Sequence, residues 1–173
     1  DILGPLGNGF TLRPHSRNLL LVAGGIGVAP LVFLVRKALT QGLSVKMILG
    51  VSTASCLFPL PTEVEHTIVT EDGSAGRKGR ATDLLPEFAG WADEIVACGP
   101  IPMYRSMAGM RVGNKPVHIL LEQVMGCGVG ACRGCSIPTK HGMRTVCREG
   151  PVFELGEILW EGVPEPTGCG FTE

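Results

Sequence analysis

The sequence predicts an α/β fold: a five-stranded parallel sheet with helices on its faces, followed by a small second unit rich in glycine and cysteine. Three observations carry this. Five short apolar runs rich in β-formers recur at residues 19–23, 45–51, 66–70, 94–98 and 117–121, several of them separated by helical patterns. Strands alternating with helices imply parallel pairing with both faces of the sheet covered. A glycine turn, Gly24-Gly25-Ile26-Gly27-Val28-Ala29-Pro30, follows the first run. After Leu121 the composition changes abruptly, and four cysteines crowd into the 21 residues from Cys127 to Cys147.

Residues 19–23 read as a short strand running straight into the glycine turn. The clearest helix spans 30–41, where Leu31, Leu34, Val35, Ala38 and Leu39 fall at i, i+3, i+4, i+7 and i+8, with Pro30 near the start and Gly42 just past the end. The second strand, 45–51, leads to a segment with Pro59 and Pro61 that reads as an irregular connection. Beyond the third strand, 66–70, a weaker helix is expected over 81–88, interrupted by Pro86. The fourth strand, 94–98, precedes a helix from about 102 to 110 whose Met103, Met107 and Met110 form one stripe, read as core packing. The fifth strand, 117–121, ends this first unit. Residues 122–160 form the second, and the Pro- and Gly-rich residues 161–173 read as a poorly ordered tail.

Of 173 residues, 45% are apolar and 18% charged, as in a soluble globular protein of one or two domains. Fifteen basic against sixteen acidic residues leave a formal charge of −1, which excludes the footprint of nucleic-acid binding or a polybasic membrane anchor. Residues 19–35 are uncharged, but the glycine turn splits them, so no membrane span is expected. The chain opens with neither a basic start nor an apolar h-region, hence no signal peptide, and without a Met, so further sequence is expected upstream. Seven cysteines, an odd number with four clustered, point to metal ligation in the cytoplasm rather than to disulfides.

Cys127, Cys132, Cys135 and Cys147 are spaced C-x4-C-x2-C-x11-C, and the first three have the plant-type ferredoxin spacing of a [2Fe–2S] cluster. Gly126, Gly128, Gly130 and Gly134 would let the backbone wrap an inorganic core and aim N–H groups at its sulfurs. A zinc site, with His141 as a substitute ligand, is the alternative, although structural zinc usually takes paired C-x2-C knuckles. A [4Fe–4S] cluster is disfavoured because the C-x2-C-x2-C run is absent.

Three turns at predicted strand ends suggest a Rossmann-like nucleotide-binding domain, since ligands of such sheets sit beyond the carboxyl ends of the strands. The first contains Gly24, Gly25, Gly27 and Pro30, where a pyrophosphate would meet a helix N-terminus. The second is Thr70-Glu71-Asp72-Gly73 and the third Cys98-Gly99-Pro100. Each also has a plain structural reading: a strand-to-helix turn, an Asp-Gly turn, and a buried cysteine acting as a small hydrophobe. Glu71 and Asp72 would repel a 2′-phosphate and favour NADH over NADPH, although Arg77, Lys78 and Arg80 follow closely.

Leu3-Gly-Pro-Leu-Gly-Asn-Gly-Phe10, Ala23-Gly-Gly-Ile-Gly-Val-Ala-Pro30, Thr70-Glu-Asp-Gly-Ser74, Ala97-Cys-Gly-Pro100 and the cysteine run followed by Arg148-Glu-Gly-Pro-Val-Phe153 together resemble the ferredoxin reductase superfamily. Within it they are similar to the electron transfer subunits of the NAD-dependent dihydroorotate dehydrogenase. The resemblance implies an FAD-binding β-barrel before the dinucleotide domain, with residues 1–18 as its end and linker, and residues 19–121 and 122–160 as the dinucleotide and [2Fe–2S] domains. The Arg-x-Tyr-Ser flavin motif of that barrel is not in this sequence. It also implies that Gly24, Gly25, Gly27 and Pro30 line the dinucleotide site, that Cys98 and Gly99 lie near nicotinamide and flavin, with Cys98 the catalytic candidate, and that the four clustered cysteines are the cluster ligands.

The activity so implied is an oxidoreductase relay in pyrimidine biosynthesis, from NADH through FAD and the cluster to the FMN of a dihydroorotate dehydrogenase catalytic subunit, in a hetero-oligomer. The 173 residues alone, lacking the barrel, are expected to oxidise NADH at no useful rate. Arg133 and residues 136–143 are the expected docking region. A flavin and iron–sulfur subunit of a hydrogenase or of a ferredoxin:NAD(P) oxidoreductase shares the layout. A zinc-stabilised interaction module is the alternative of another class.

Overall fold

The computed structural model describes residues 3–163, so most of the tail expected over 161–173, with Cys169, lies outside the described residues. In chain order the elements are β1 (Asn18–Gly24), α1 (Val28–Thr40), β2 (Ser44–Val51), β3 (Glu65–Thr70), β4 (Arg77–Lys78), α2 (Leu85–Ala89), β5 (Glu94–Cys98), α3 (Ile101–Ala108), β6 (Val117–Leu120), β7 (Ser136–Thr139), β8 (Gly142–Thr145), α4 (Val146–Glu149) and β9 (Val152–Glu154). One sheet runs β4-β3-β2-β1-β5-β6-β9, parallel throughout except for β9, and β7 and β8 make a separate hairpin. All five expected strands are present. The sheet is wider by two: β4, two residues long, and β9, which returns from beyond the cysteine loop to pair antiparallel with β6.

Alternation along the central strands fills two cores, as side chains at i and i+2 share a face. Leu19, Leu21, Ala23, Val45, Met47 and Leu49 pack under Leu31, Leu34, Val35 and Ala38 of α1. On the other face Leu20, Val22, Ile48, Ile95 and Ala97 meet Leu85, Tyr104 and Met107, and the same cluster continues into Cys135, Ile137, Val146, Cys147 and Phe153. The cysteine-rich segment therefore shares a core with the sheet. Burying each of the leucine, isoleucine and valine side chains contributes about 1.5–3 kcal/mol.

Helix α1 begins two residues before the expected start, placing Pro30 in its first turn, where no intrahelical N–H bond is lost. It ends in a Schellman motif: Leu43 N–H donates to the Ala38 carbonyl at 3.1 Å and Gly42 N–H to that of Leu39 at 3.0 Å, with Gly42 at φ +77°. Pro86 does not break the helix expected over 81–88, because a 3₁₀ turn (Ala81–Leu84) precedes α2 and leaves Pro86 in the first turn. Of the methionine stripe, Met107 is core, whereas Met103 also faces the cleft described below. The stretch 136–143, expected as an exposed polar loop, is largely the β7–β8 hairpin, with Ile137 and Thr139 buried and only its tip open to solvent. Among the described residues no helix is long and apolar enough to cross a membrane.

Candidate dinucleotide cleft and cysteine loop

A cleft of about 560 Å³ opens at the carboxyl ends of β1, β2 and β3 and beside the start of α3. Gly24, Gly25 and Glu71 line it. Gly25 has φ +55°, which a β-carbon would strain, while a Cβ at Gly24 would stand 2.8 Å from Pro100 Cδ. Gly27, buried behind them, has an ordinary helical backbone, but a Cβ there would overlap the Cys98 carbonyl. The turns after β1 and β5 thus lie backbone against backbone, with Cys98 and Gly99 behind the cleft wall.

The other expected residues are placed differently. Pro30 is exposed on the first turn of α1. Thr70 is buried, its hydroxyl donating to the Ala75 carbonyl at 2.7 Å, so it braces the loop that returns to β4. Asp72 accepts from the N–H and hydroxyl of Ser74, which hold its carboxyl below the usual range, and Gly73 turns the loop at φ +81°. Arg77 pairs with Glu87 at 2.8 Å, while Arg80 lines the cleft and lies 3.6 Å from Glu71.

Sequence reasoning missed Gly50, Ser52, Cys56, Phe58, Thr82, Pro102, Met103 and Ser106, all of which line the cleft. The rule that ligands sit beyond strand ends, applied to β2 as it was to its neighbours, would have found Ser52 and Cys56.

The two cysteines near the cleft differ in chemistry. Burial pushes the Cys98 thiol up to about 11, so at neutral pH it stays protonated, its Sγ facing the Leu120 carbonyl at 3.8 Å. Cys56 is exposed, and hydrogen bonds from the Ser52 and Thr53 hydroxyls lower its pKa. Because the thiolate is the nucleophile, iodoacetamide at neutral pH is expected to modify Cys56 about tenfold faster than Cys98. Peptide mapping by mass spectrometry reads the ratio, and equal rates would refute the assignment of the two environments.

In the cysteine loop, Cys127 and Cys132 lie toward solvent while Cys135 and Cys147 are buried. Backbone donors face the sulfurs: Cys132 N–H to Cys127 Sγ at 3.4 Å, Gly134 to Cys132 at 3.4 Å, Gly130 to Cys147 at 3.1 Å and Cys147 to Cys135 at 3.4 Å. Donation from Cys132 and Val129 brings the Cys127 thiol down to about 6. Burial, with Cys135 adjacent, raises that of Cys147. Positive φ at Gly128 and Gly130 favours glycine there, whereas Cβ atoms at Gly126 and Gly134 would meet Cys132 Sγ at an ordinary 3.5 Å.

The cysteines form an outer pair, Cys127 with Cys132, and an inner pair, Cys135 with Cys147. Among the described residues no three His, Cys, Asp or Glu side chains are gathered so as to hold one metal ion. Two thiolate pairs with N–H donors aimed at sulfur fit an iron–sulfur cluster. His141 stays at the exposed hairpin tip, where its N–H donates to Thr139 Oγ1.

A parallel nucleotide-binding sheet leading into such a loop defines the class, a ferredoxin-reductase-type fold carrying an iron–sulfur domain. The fold is similar to that of a structure described as NADH-dependent reduced ferredoxin-NADP oxidoreductase (TM-score 0.82, 28% identity, 93% of this chain and 60% of that one). It also resembles an Amycolatopsis cytochrome P450 reductase (TM-score 0.54, 26% identity, 67% and 41%). Residues 122–159 match the family described as the iron–sulfur cluster binding domain of dihydroorotate dehydrogenase B. The electron transfer subunits of dihydroorotate dehydrogenase B (NAD(+)) from Bacillus caldolyticus and Geobacillus kaustophilus are each 42% identical over 167 residues, and that from Bacillus cereus strain B4264 is 40% identical over 169. Over nearly its whole length the chain is similar to these electron transfer subunits. Its matched part is 92% of this chain and spans 65% of the length of those relatives.

Proposed function

We propose that the chain relays electrons between NADH in the cleft and the FMN of a dihydroorotate dehydrogenase catalytic subunit, through FAD and a [2Fe–2S] cluster, in cytoplasmic pyrimidine biosynthesis. The observation that carries this reading is the continuity of the two sites. Strand β5 ends behind the cleft, its neighbour β6 runs into the cysteine loop, and β9 returns from that loop to pair with β6. In this reading residues 1–18 close a flavin-binding barrel, 19–121 hold the dinucleotide and 122–160 hold the cluster. When bound, the three groups supply a hydride, its division into single electrons, and one-electron transfer.

The residues divide the remaining work. The glycine turn before the 13-residue α1 gives a pyrophosphate close backbone approach at a helix N-terminus. Glu71, on the cleft wall, accepts the ribose 2′-hydroxyl and repels a 2′-phosphate, with Arg80 engaged beside it. The N–H donors of the loop stabilise negative charge on sulfur. Exposed Val124, Met125 and Val129 lie on or beside the loop and give the partner an apolar surface near the outer cysteine pair.

NADH is expected to reduce the flavin of the full-length protein about tenfold faster than NADPH. Faster reduction by NADPH in stopped flow would reverse the assignment of Glu71. A ferredoxin:NAD(P) oxidoreductase is the second reading, favoured by the structural likeness over 93% of the chain. Co-expression with candidate catalytic subunits separates the two. NADH-linked orotate reduction by the complex, with no useful NADH oxidation by the 173-residue chain alone, is the expected result. Activity only with a ferredoxin-dependent partner would select the second reading.

A further inference from the structure

Tyr104 is the only tyrosine in the sequence and is 1% exposed. Its ring packs in the core beside Trp160, with centroids 5.6 Å apart, a place that phenylalanine would fill equally well. The hydroxyl is what needs explaining, because a buried polar group is stabilising only when its hydrogen bonds are made. Here both are. The oxygen accepts from Gly99 N–H at 2.9 Å and donates to the Leu120 carbonyl at 2.7 Å. Burial raises its pKa, so it remains a donor at neutral pH.

The two partners sit at strategic points of the chain. Gly99 forms the turn after β5, and a Cβ on it would stand 3.1 Å from Gly24 Cα, so its height sets that of the glycine turn lining the cleft. Leu120 is the last residue of β6, two before the iron–sulfur segment begins at 122. One hydroxyl thus ties the turn behind the cleft to the strand that enters the cysteine loop.

We propose that Tyr104 is a positioning residue that fixes the Cys98–Gly99 turn for hydride transfer and holds it in register with the cysteine loop. This rests on the relay reading above, since Pro100, the next residue of that turn, lines the cleft assigned to NADH. Removing the hydroxyl takes the acceptor from the half-buried Gly99 N–H, leaves the Leu120 carbonyl only the long contact from the Cys98 thiol, and frees the turn to shift.

The test is Tyr104→Phe in the full-length, flavin-loaded protein. Flavin reduction at saturating NADH should slow by about tenfold or more, since small misplacements of reacting groups are costly. The dissociation constant of ADP-ribose, which lacks the nicotinamide, should stay within about twofold, and iron content should not change. An unaltered reduction rate would overturn the proposal, as would loss of ADP-ribose affinity in step with the rate. Should the variant fail to fold, amide exchange in the unsubstituted protein decides: Gly99 N–H should be protected, and exchange as fast as an open turn would overturn the proposal. If the unsubstituted protein does not reduce its flavin with NADH, the relay reading fails and takes this one with it.

Discussion

Alanine at Cys147 is expected to abolish the iron–sulfur cluster while leaving the fold in place. Cys147 is 3% exposed, belongs to the inner pair with Cys135, and receives the Gly130 N–H at 3.1 Å. A [2Fe–2S] core takes four thiolates, so losing one opens an iron coordination position. Alanine is small and apolar, and the surrounding Val146, Ile137 and Phe153 keep their burial. Iron and sulfide should fall from about two of each per chain to near zero, with loss of visible absorbance. Cys132→Ala provides the control, because Cys132 is exposed and its removal leaves the core untouched. Both variants should lose iron, and the Cys132 variant should melt no lower than the Cys147 variant. Full iron content in either would remove that cysteine from the ligand set.

Alanine at Gly27 is expected to have the second large effect, on dinucleotide binding. The backbone at Gly27 suits any residue, with φ −58° and ψ −11°, so strain plays no part. What fails is space: the added carbon would overlap the Cys98 carbonyl and stand 2.9 Å from Gly99 N, both backbone atoms in neighbouring turns. The turns must separate, at about 1–3 kcal/mol for an overpacked site. Affinity for NAD⁺ should weaken by about tenfold or more, the equivalent of 1.4 kcal/mol. Gly25→Ala makes the contrast, since a Cβ there meets open space but φ is +55°. It should destabilise through backbone strain of about 1–2 kcal/mol while disturbing the neighbouring turn less. Calorimetric titration of both variants, with unchanged affinity for Gly27→Ala, would reject the turn-against-turn account.

Much of this architecture is local enough to read from the chain. The five main strands follow from continuous apolar runs, because a parallel sheet buried on both faces demands them. Helix α1 follows from its apolar stripe and from Gly42. Strands β4 and β9 are two and three residues long and have no pattern of their own. They exist because Val69 and Ile119 offer pairing edges, a tertiary fact. The β7–β8 hairpin was hidden for a related reason: Ile137 and Thr139 alternate inward, but Pro138, Lys140 and His141 make the stretch read as a loop.

The site divides in the same way. Cysteine spacing and glycine turns are sequence signals with a chemical cause, and they mark the loop and the β1 side of the cleft. The Ser52 to Cys56 wall has no motif of its own and is legible only from its place beyond the end of β2. Arg80 was legible only as a charge, and its place beside Glu71 depends on the fold of residues 71–80. The role of the Tyr104 hydroxyl is invisible in the chain, because Tyr104 lies on α3 and its acceptor Leu120 is 16 residues away at the end of β6.

The most direct test of the relay is low-temperature paramagnetic resonance on the full-length, flavin-loaded protein mixed anaerobically with NADH. The account predicts that NADH produces the paramagnetic signal of a reduced [2Fe–2S] cluster, and that Cys147→Ala reduces its flavin without that signal. A cluster that stays oxidised in the unsubstituted protein while the flavin is fully reduced would contradict it.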